Sequence, residues 1–217
     1  MIESKYTKSF ENLVSLYGEE HVNRILDRLN YIHTYTENIW EEYVEKIPDR
    51  SFKYLLIAEA PPWKEKGKPE YVLDPSSNPR SLMSAICKAF YREPIYKSKG
   101  RSKVLSMLAN DGFLVIDSIP FSMDYSNPNK RKRQAYMNLV KSSLEEYMLP
   151  KLSAYNLKLH PDLKIAFSLK TNARQIIDIL SSQLVLDEQT FTISESNIGV
   201  NGAGYPDSKK IEQIYFS

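Results

Sequence analysis

A three-layer α/β/α sandwich with a parallel sheet of about four strands is the fold class that this 217-residue sequence predicts. Three observations predict it. Short apolar runs such as FKYLLIA (Phe52 to Ala58) and GFLVIDSIP (Gly112 to Pro120) halt at proline, as strands covered on both faces do. Segments with apolar residues at three- and four-residue steps alternate with these runs, which implies parallel pairing through right-handed crossovers. At 42% hydrophobic, the chain has enough apolar surface to bury a full core, and its length favours a single domain over residues 1–217.

The elements follow in order. From about Ser9 to Ile47, residues such as Leu13, Leu16, Val22, Leu29, Ile32 and Tyr43 keep helical spacing, which predicts two or three helices ended by Pro48. These extra helices form an extension over residues 1–50, packed on an α/β core over 51–217. The first strand is Phe52 to Ala58. Six prolines and glycines from Pro61 to Pro79 then hold about twenty residues out of regular structure, a length more often functional than idle. Leu82, Ile86, Ala89 and Phe90 mark the buried stripe of a helix, and Val104, Leu105 and Leu108 that of another. The second strand is followed by a polar loop through Asn129, a helix from Ala135 to Leu152, and a third strand from Leu163 to Leu169. Thr171 or Asn172 can cap a further helix. A weaker strand near Gln189 to Ser194, a glycine-rich turn NGAGYP and a last helix from about Asp207 complete the chain.

Composition removes several function classes. Net charge is +2, too mild by itself to call for a polyanionic partner. The one cysteine, Cys87, allows no internal disulfide and no thiolate zinc site or cysteine-ligated iron–sulfur cluster built within one chain. No metal or cofactor is expected. No apolar run approaches the roughly 20 residues of a bilayer crossing, so no membrane partner is expected. A reducing, cytoplasmic setting and a monomeric state are expected.

In an open parallel sheet, ligands bind beyond the carboxyl ends of the strands. The loops there begin AEAPPW, DSIPFSMDYSNP, SLKTNA and GAGYPDSKK, and they contain carboxylates, hydroxyls, amides, aromatics and lysines but no histidine. His21, His33 and His160 lie elsewhere and read as structural or solvated. No Walker A, G-x-G-x-x-G, H-E-x-x-H or G-x-S-x-G pattern is present, which removes conventional nucleotide-kinase and serine-hydrolase readings. Glu59 directly follows an apolar strand, where it either serves a reacting centre or accepts from backbone N–H groups of its loop. Pro61 and Pro62 stiffen the chain behind it, and Trp63 either covers the pocket or packs on the sheet edge. Two basic runs, YKSKGRSK (Tyr96 to Lys103) and NKRKR (Asn129 to Arg133), are either solvated faces or phosphate contacts.

AEAPP, the helix NPRSLMSAICKAF, GFLVIDSIPFS, LEEYMLPKL, LHPDLKIAFSLKTNA and GYPDSKK occur in an order and spacing that resembles the uracil-DNA glycosylase superfamily. The similarity is to the branch whose first motif is G-E-A-P-G, and it runs from about Tyr54 to Lys210. The resemblance implies a fold that accepts a flipped-out DNA base and hydrolyses its N-glycosidic bond, leaving the sugar–phosphate chain intact. Glu59 would stabilise the sugar cation or orient water. Tyr205 stands where the family has a histidine donor, and either replaces it with a neutral donor or packs before the last helix. Asp117 stands where the family has a base-reading asparagine. When ionised it only accepts hydrogen bonds, which suits an amino-bearing base, or it serves loop amides instead. Tyr71 or Phe121 would stack on the base beside Pro61. Ser168, Lys170, Ser208, Lys209, Lys130 and Arg131 would meet phosphates. The alternatives are an inactive relative that binds nucleic acid or a nucleotide, and a small-molecule nucleoside hydrolase.

Overall fold

The computed structural model of the chain describes residues 1–77, 81–92, 95–124, 132–155, 157–168, 176–177 and 206–217. In chain order the elements are α1 (Ile2–Lys5), α2 (Thr7–Tyr17), α3 (Glu19–Val44), a 3₁₀ turn (Pro48–Arg50), β1 (Ser51–Ala58), α4 (Ser81–Tyr91), α5 (Tyr96–Lys99) and α6 (Arg101–Asn110). They continue with β2 (Phe113–Asp117), α7 (Arg133–Ser143), a π-helical turn (Leu144–Met148), α8 (Leu149–Ala154), β3 (Lys158–Phe167) and α9 (Ser208–Phe216). The fold is mixed α/β, mostly helical, around a parallel sheet of order β2-β1-β3 among the described residues. The fourth strand expected near Gln189 to Ser194 and the cap at Thr171 or Asn172 lie outside those residues.

Two compact units make up the chain. One contains Met1–Asn38, Glu59–Tyr71 and Asp117–Tyr155; the other contains Ile39–Ala58, Val72–Ile116 and Asn156–Ser217. In the second unit, β1 pairs with β3 from Ser51↔Lys158 to Ile57↔Phe167, with an irregularity between Phe52 and Tyr54. The third strand therefore starts five residues before the expected Leu163. Pro161 sits in the irregular stretch, where its missing N–H removes no regular ladder bond. Gly112 opens β2 with φ +72, and a Cβ there would lie 3.1 Å from the Lys53 nitrogen and 3.3 Å from the Ser51 oxygen. Only glycine meets both demands.

The last turns of α3 close the outer side of the sheet. Gly112 O accepts from Lys53 on β1, so the carbonyls of Phe113 and Val115, one and three residues on, face away from β1. Tyr43 Oη donates to Phe113 O at 2.8 Å and Trp40 Nε1 to Val115 O at 2.7 Å. Two buried side chains thus satisfy two outward carbonyls of β2, the edge strand of the sheet among the described residues. Around the sheet, Phe90 meets the rings of Tyr54, Phe113 and Phe216 at 5.1–5.3 Å, and Tyr215 donates to Leu55 O. Arg101, from the first basic run, turns inward and donates to Asp74 O and Val72 O, both at 2.6 Å. Its role is to hold the long loop after β1, and it is not presented to a phosphate.

In the first unit, the predicted helix from Ala135 to Leu152 is not uniform. Pro150 has no N–H for the carbonyl four residues back and its ring crowds that carbonyl. The π-helical turn just before it widens the backbone at that point. That turn carries Glu146, whose carboxylate accepts from the backbone N–H groups of Lys8 and Ser9 at 3.0 and 2.9 Å and from Ser9 Oγ at 2.8 Å. Tyr6, the residue before α2, supplies no side-chain cap, so a glutamate far along the chain caps α2 instead. Burial opposes the Glu146 charge, but the hydrogen bonds from Ser9 and Lys8 outweigh it and hold the carboxyl below the usual glutamate range. Glu146→Gln is expected to cost about 1 kcal/mol at pH 7. Because the folded value is depressed, this stability is present above the unfolded value of 4.5 and lost as pH falls through the folded one. Urea midpoints of the two proteins should therefore differ at pH 7 and draw together as the solution is acidified below 4.5.

Among the described residues, no helix is long and apolar enough to cross a membrane.

Candidate functional site

Glu59 is fixed twice in the first unit. Its backbone carbonyl accepts from Ser118 Oγ and from the Ile119 N–H, both at 2.9 Å, so the exits of the first two strands are tied together. Its carboxylate accepts from the Tyr136 hydroxyl of α7 at 2.6 Å, and the side chain is half-buried. The carboxylate thus takes a side-chain hydroxyl from a helix, and its carbonyl takes the loop N–H. Pro61 is buried behind it, and Trp63 is half-buried. Arg28 of α3 clamps the following loop, donating to Lys64 O at 2.6 Å and Gly67 O at 2.5 Å.

Asp117, the last residue of β2, is 3% exposed. Burial pushes its carboxyl up to about 7. Lys151 pulls it down, Glu37 pushes it up, a hydrogen bond from Tyr71 pulls it down and Glu59 pushes it up. The Glu59 charge, from the residue after β1, is thus one of several that act on the carboxyl that ends β2. Tyr71 is buried, and burial together with the Asp117 charge keeps its phenol protonated as a donor to that carboxyl.

Lys151 and Glu37, whose charges act on Asp117, form a pair from two helices. Lys151 of α8 donates to Glu37 Oε1 of α3 at 2.6 Å and to Tyr147 Oη at 3.0 Å, and Tyr147 donates to Glu37 Oε1 at 2.8 Å. Burial alone would raise Glu37, but the Lys151 charge and these hydrogen bonds win and hold it below its ordinary range. The π-helical turn brings Tyr147 into this position.

His33 joins the same interior. Its Nδ1 lies 3.1 Å from Pro120 O, which can only accept, so the ring proton sits on Nδ1 and Nε2 accepts from Tyr6 Oη at 3.4 Å. Burial lowers its pKa below the ordinary histidine value. This agrees with a structural reading of His33, although it reaches the loop after β2 from a helix outside that loop. His21 Nε2 lies 3.5 Å from Asp124 Oδ2, and Tyr17, from α2, donates to Asp124 O.

Glu59, Asp117, Tyr71, Pro61 and Phe121 all belong to this unit. Two of the sequence-derived roles fit their surroundings poorly. Phe121 is fully buried, with Tyr6 and Phe10 packed edge-on at 6.1 Å, so its ring is core and not a platform open to a base. Tyr71 is buried and bonded to Asp117, so it acts through its hydroxyl. Ser168, Ser208 and Lys209 belong to the other unit. There the Ser168 N–H donates to Ile57 O and Asp207 caps α9 by accepting from the Lys209 N–H at 2.9 Å. Tyr205, Lys170, Lys130 and Arg131 lie outside the described residues.

Sequence reasoning missed Glu37, Lys151, Tyr147 and Tyr136 because it searched the loops, and all four sit on helices. One signal for Glu37 was available. His33, Glu37 and Trp40 fall at steps of four and three on the apolar stripe of α3, where a carboxylate needs a partner. Tyr136 gave no signal among 15 tyrosines. Comparisons with known protein families, with curated proteins and with solved structures return no match.

Proposed function

We propose that the chain is a uracil-DNA glycosylase-like hydrolase that releases a damaged or deaminated base from DNA, as the sequence resemblance implies. The observation that carries this reading is a pair of carboxyls at consecutive strand exits, the half-buried Glu59 and the buried Asp117, on backbones tied together by the bonds from Ser118 Oγ and the Ile119 N–H to the Glu59 carbonyl. Breaking the glycosidic bond sends the electron pair to the base and leaves positive charge at the sugar C1′. Glu59 is suited to stabilise that charge or to hold the water whose oxygen bonds to C1′, with the water's proton passing to the carboxylate and then to the base. Asp117 stands where the superfamily carries asparagine. A carboxyl poised near 7 is largely protonated in mild acid and then both donates and accepts, as an amide does. This reduces the chemical distance between the two residues.

A second reading has its own support. The engagement of Asp117 with Tyr71 in a buried setting also suits a relative that binds nucleic acid without releasing a base. Abasic-site formation on uracil-, hypoxanthine- and alkylated-base oligonucleotides separates the two. The glycosylase reading expects base release that falls about 10²-fold or more in Glu59→Gln. Release unaffected by the substitution removes Glu59 from the reaction. Salt-sensitive oligonucleotide binding with no release selects the binding reading.

A further inference from the structure

We infer that Tyr136 is the positioning residue of this site, holding the Glu59 carboxylate in its reactive orientation through the hydroxyl of a separate helix. The inference rests on the proposed role of Glu59. Ser118 Oγ and the Ile119 N–H hold the carbonyl of that glutamate, and Tyr136 Oη holds its Oε1. The first two fix the backbone, and they leave the three side-chain torsions of a glutamate to be set by other contacts. The phenol at 2.6 Å supplies such a restraint, in the range of short, charge-assisted O–H···O⁻ hydrogen bonds. Tyr136 is itself half-buried, and α7 holds its own place by packing along α2. The donor is therefore mounted on a packed helix, and a carboxylate that must meet one face of a sugar needs such a rigid mount.

Tyr136→Phe keeps the ring and removes only the hydroxyl. Single-turnover base release by Tyr136→Phe is expected to fall about 10- to 100-fold. Oligonucleotide affinity should stay close to the parent value, and the melting temperature should fall only by the few degrees that the loss of one part-buried hydrogen bond costs. In the double variant Glu59→Gln/Tyr136→Phe the second change should add less than about twofold to the first, the mark of a residue acting through another. Unimpaired release by Tyr136→Phe overturns the inference and leaves the glycosylase reading intact. Full additivity in the double variant also overturns it, since Tyr136 would then act independently of Glu59. No release by the parent protein from any of the oligonucleotides overturns the reading beneath it, and the inference with it.

Discussion

Replacing Asp117 by asparagine is expected to stabilise the protein at pH 8, by up to about 4 kcal/mol. The folded carboxyl titrates at about 7 against 3.8 when unfolded, mainly because burial disfavours its charge. With a raised folded value, the native state binds more protons between these limits. The stability linked to this group is therefore fully present below 3.8 and lost as pH rises through 7. Asparagine keeps an acceptor for Tyr71 and has no charge to bury. Urea unfolding of both proteins at pH 4, 6 and 8 tests this, with the gap opening as pH rises. A parent protein as stable as Asp117→Asn at pH 8 would show that the carboxylate is already compensated in the fold. A residue that costs stability at working pH is the kind retained for chemistry or recognition.

The opposite sign is expected at the Lys151–Glu37 pair. Lys151→Met should destabilise the protein by about 3–5 kcal/mol at pH 7, because it strands the Glu37 carboxylate in the interior. Among the described residues, Tyr147 would remain as its hydrogen-bond donor. Glu37 has a depressed folded value, so the pair's contribution is present above the unfolded value of 4.5 and fades as pH falls through the folded one. The deficit of Lys151→Met should shrink in acid accordingly. Adding Glu37→Gln should recover most of the loss, since neither buried charge then lacks its partner. Denaturant midpoints of the two single variants and the double variant complete the cycle. A double variant no more stable than Lys151→Met would mean that the lysine acts through packing of its stem instead.

Much of the fold could be read because its signals are local. FKYLLIA and GFLVIDSIP state their strands by composition and stop at proline, and Asp207 caps α9 two residues before the N–H it accepts. The early start of β3 could not be read, because Lys158 and Leu159 join the sheet through pairing with Ser51 and Phe52. Composition near Pro161 argues against a strand, and tertiary pairing overrides it. Glu59 and Asp117 were legible as carboxyls at strand exits. Their supports were not: Lys151 and Glu37 are separated by 114 positions, and Tyr136 and Glu59 by 77. Contacts between residues so far apart in sequence follow from the fold and carry no signature in local spacing.

The two ring donors of α3 that serve Phe113 and Val115 also leave neither of those carbonyls open to a second copy of the chain. A β-strand with bare carbonyls invites a neighbouring molecule to add on, and addition repeated becomes a fibre. Trp40 and Tyr43 occupy those sockets from within the same polypeptide. The final turns of that helix therefore close two addition points as well as fill the interior.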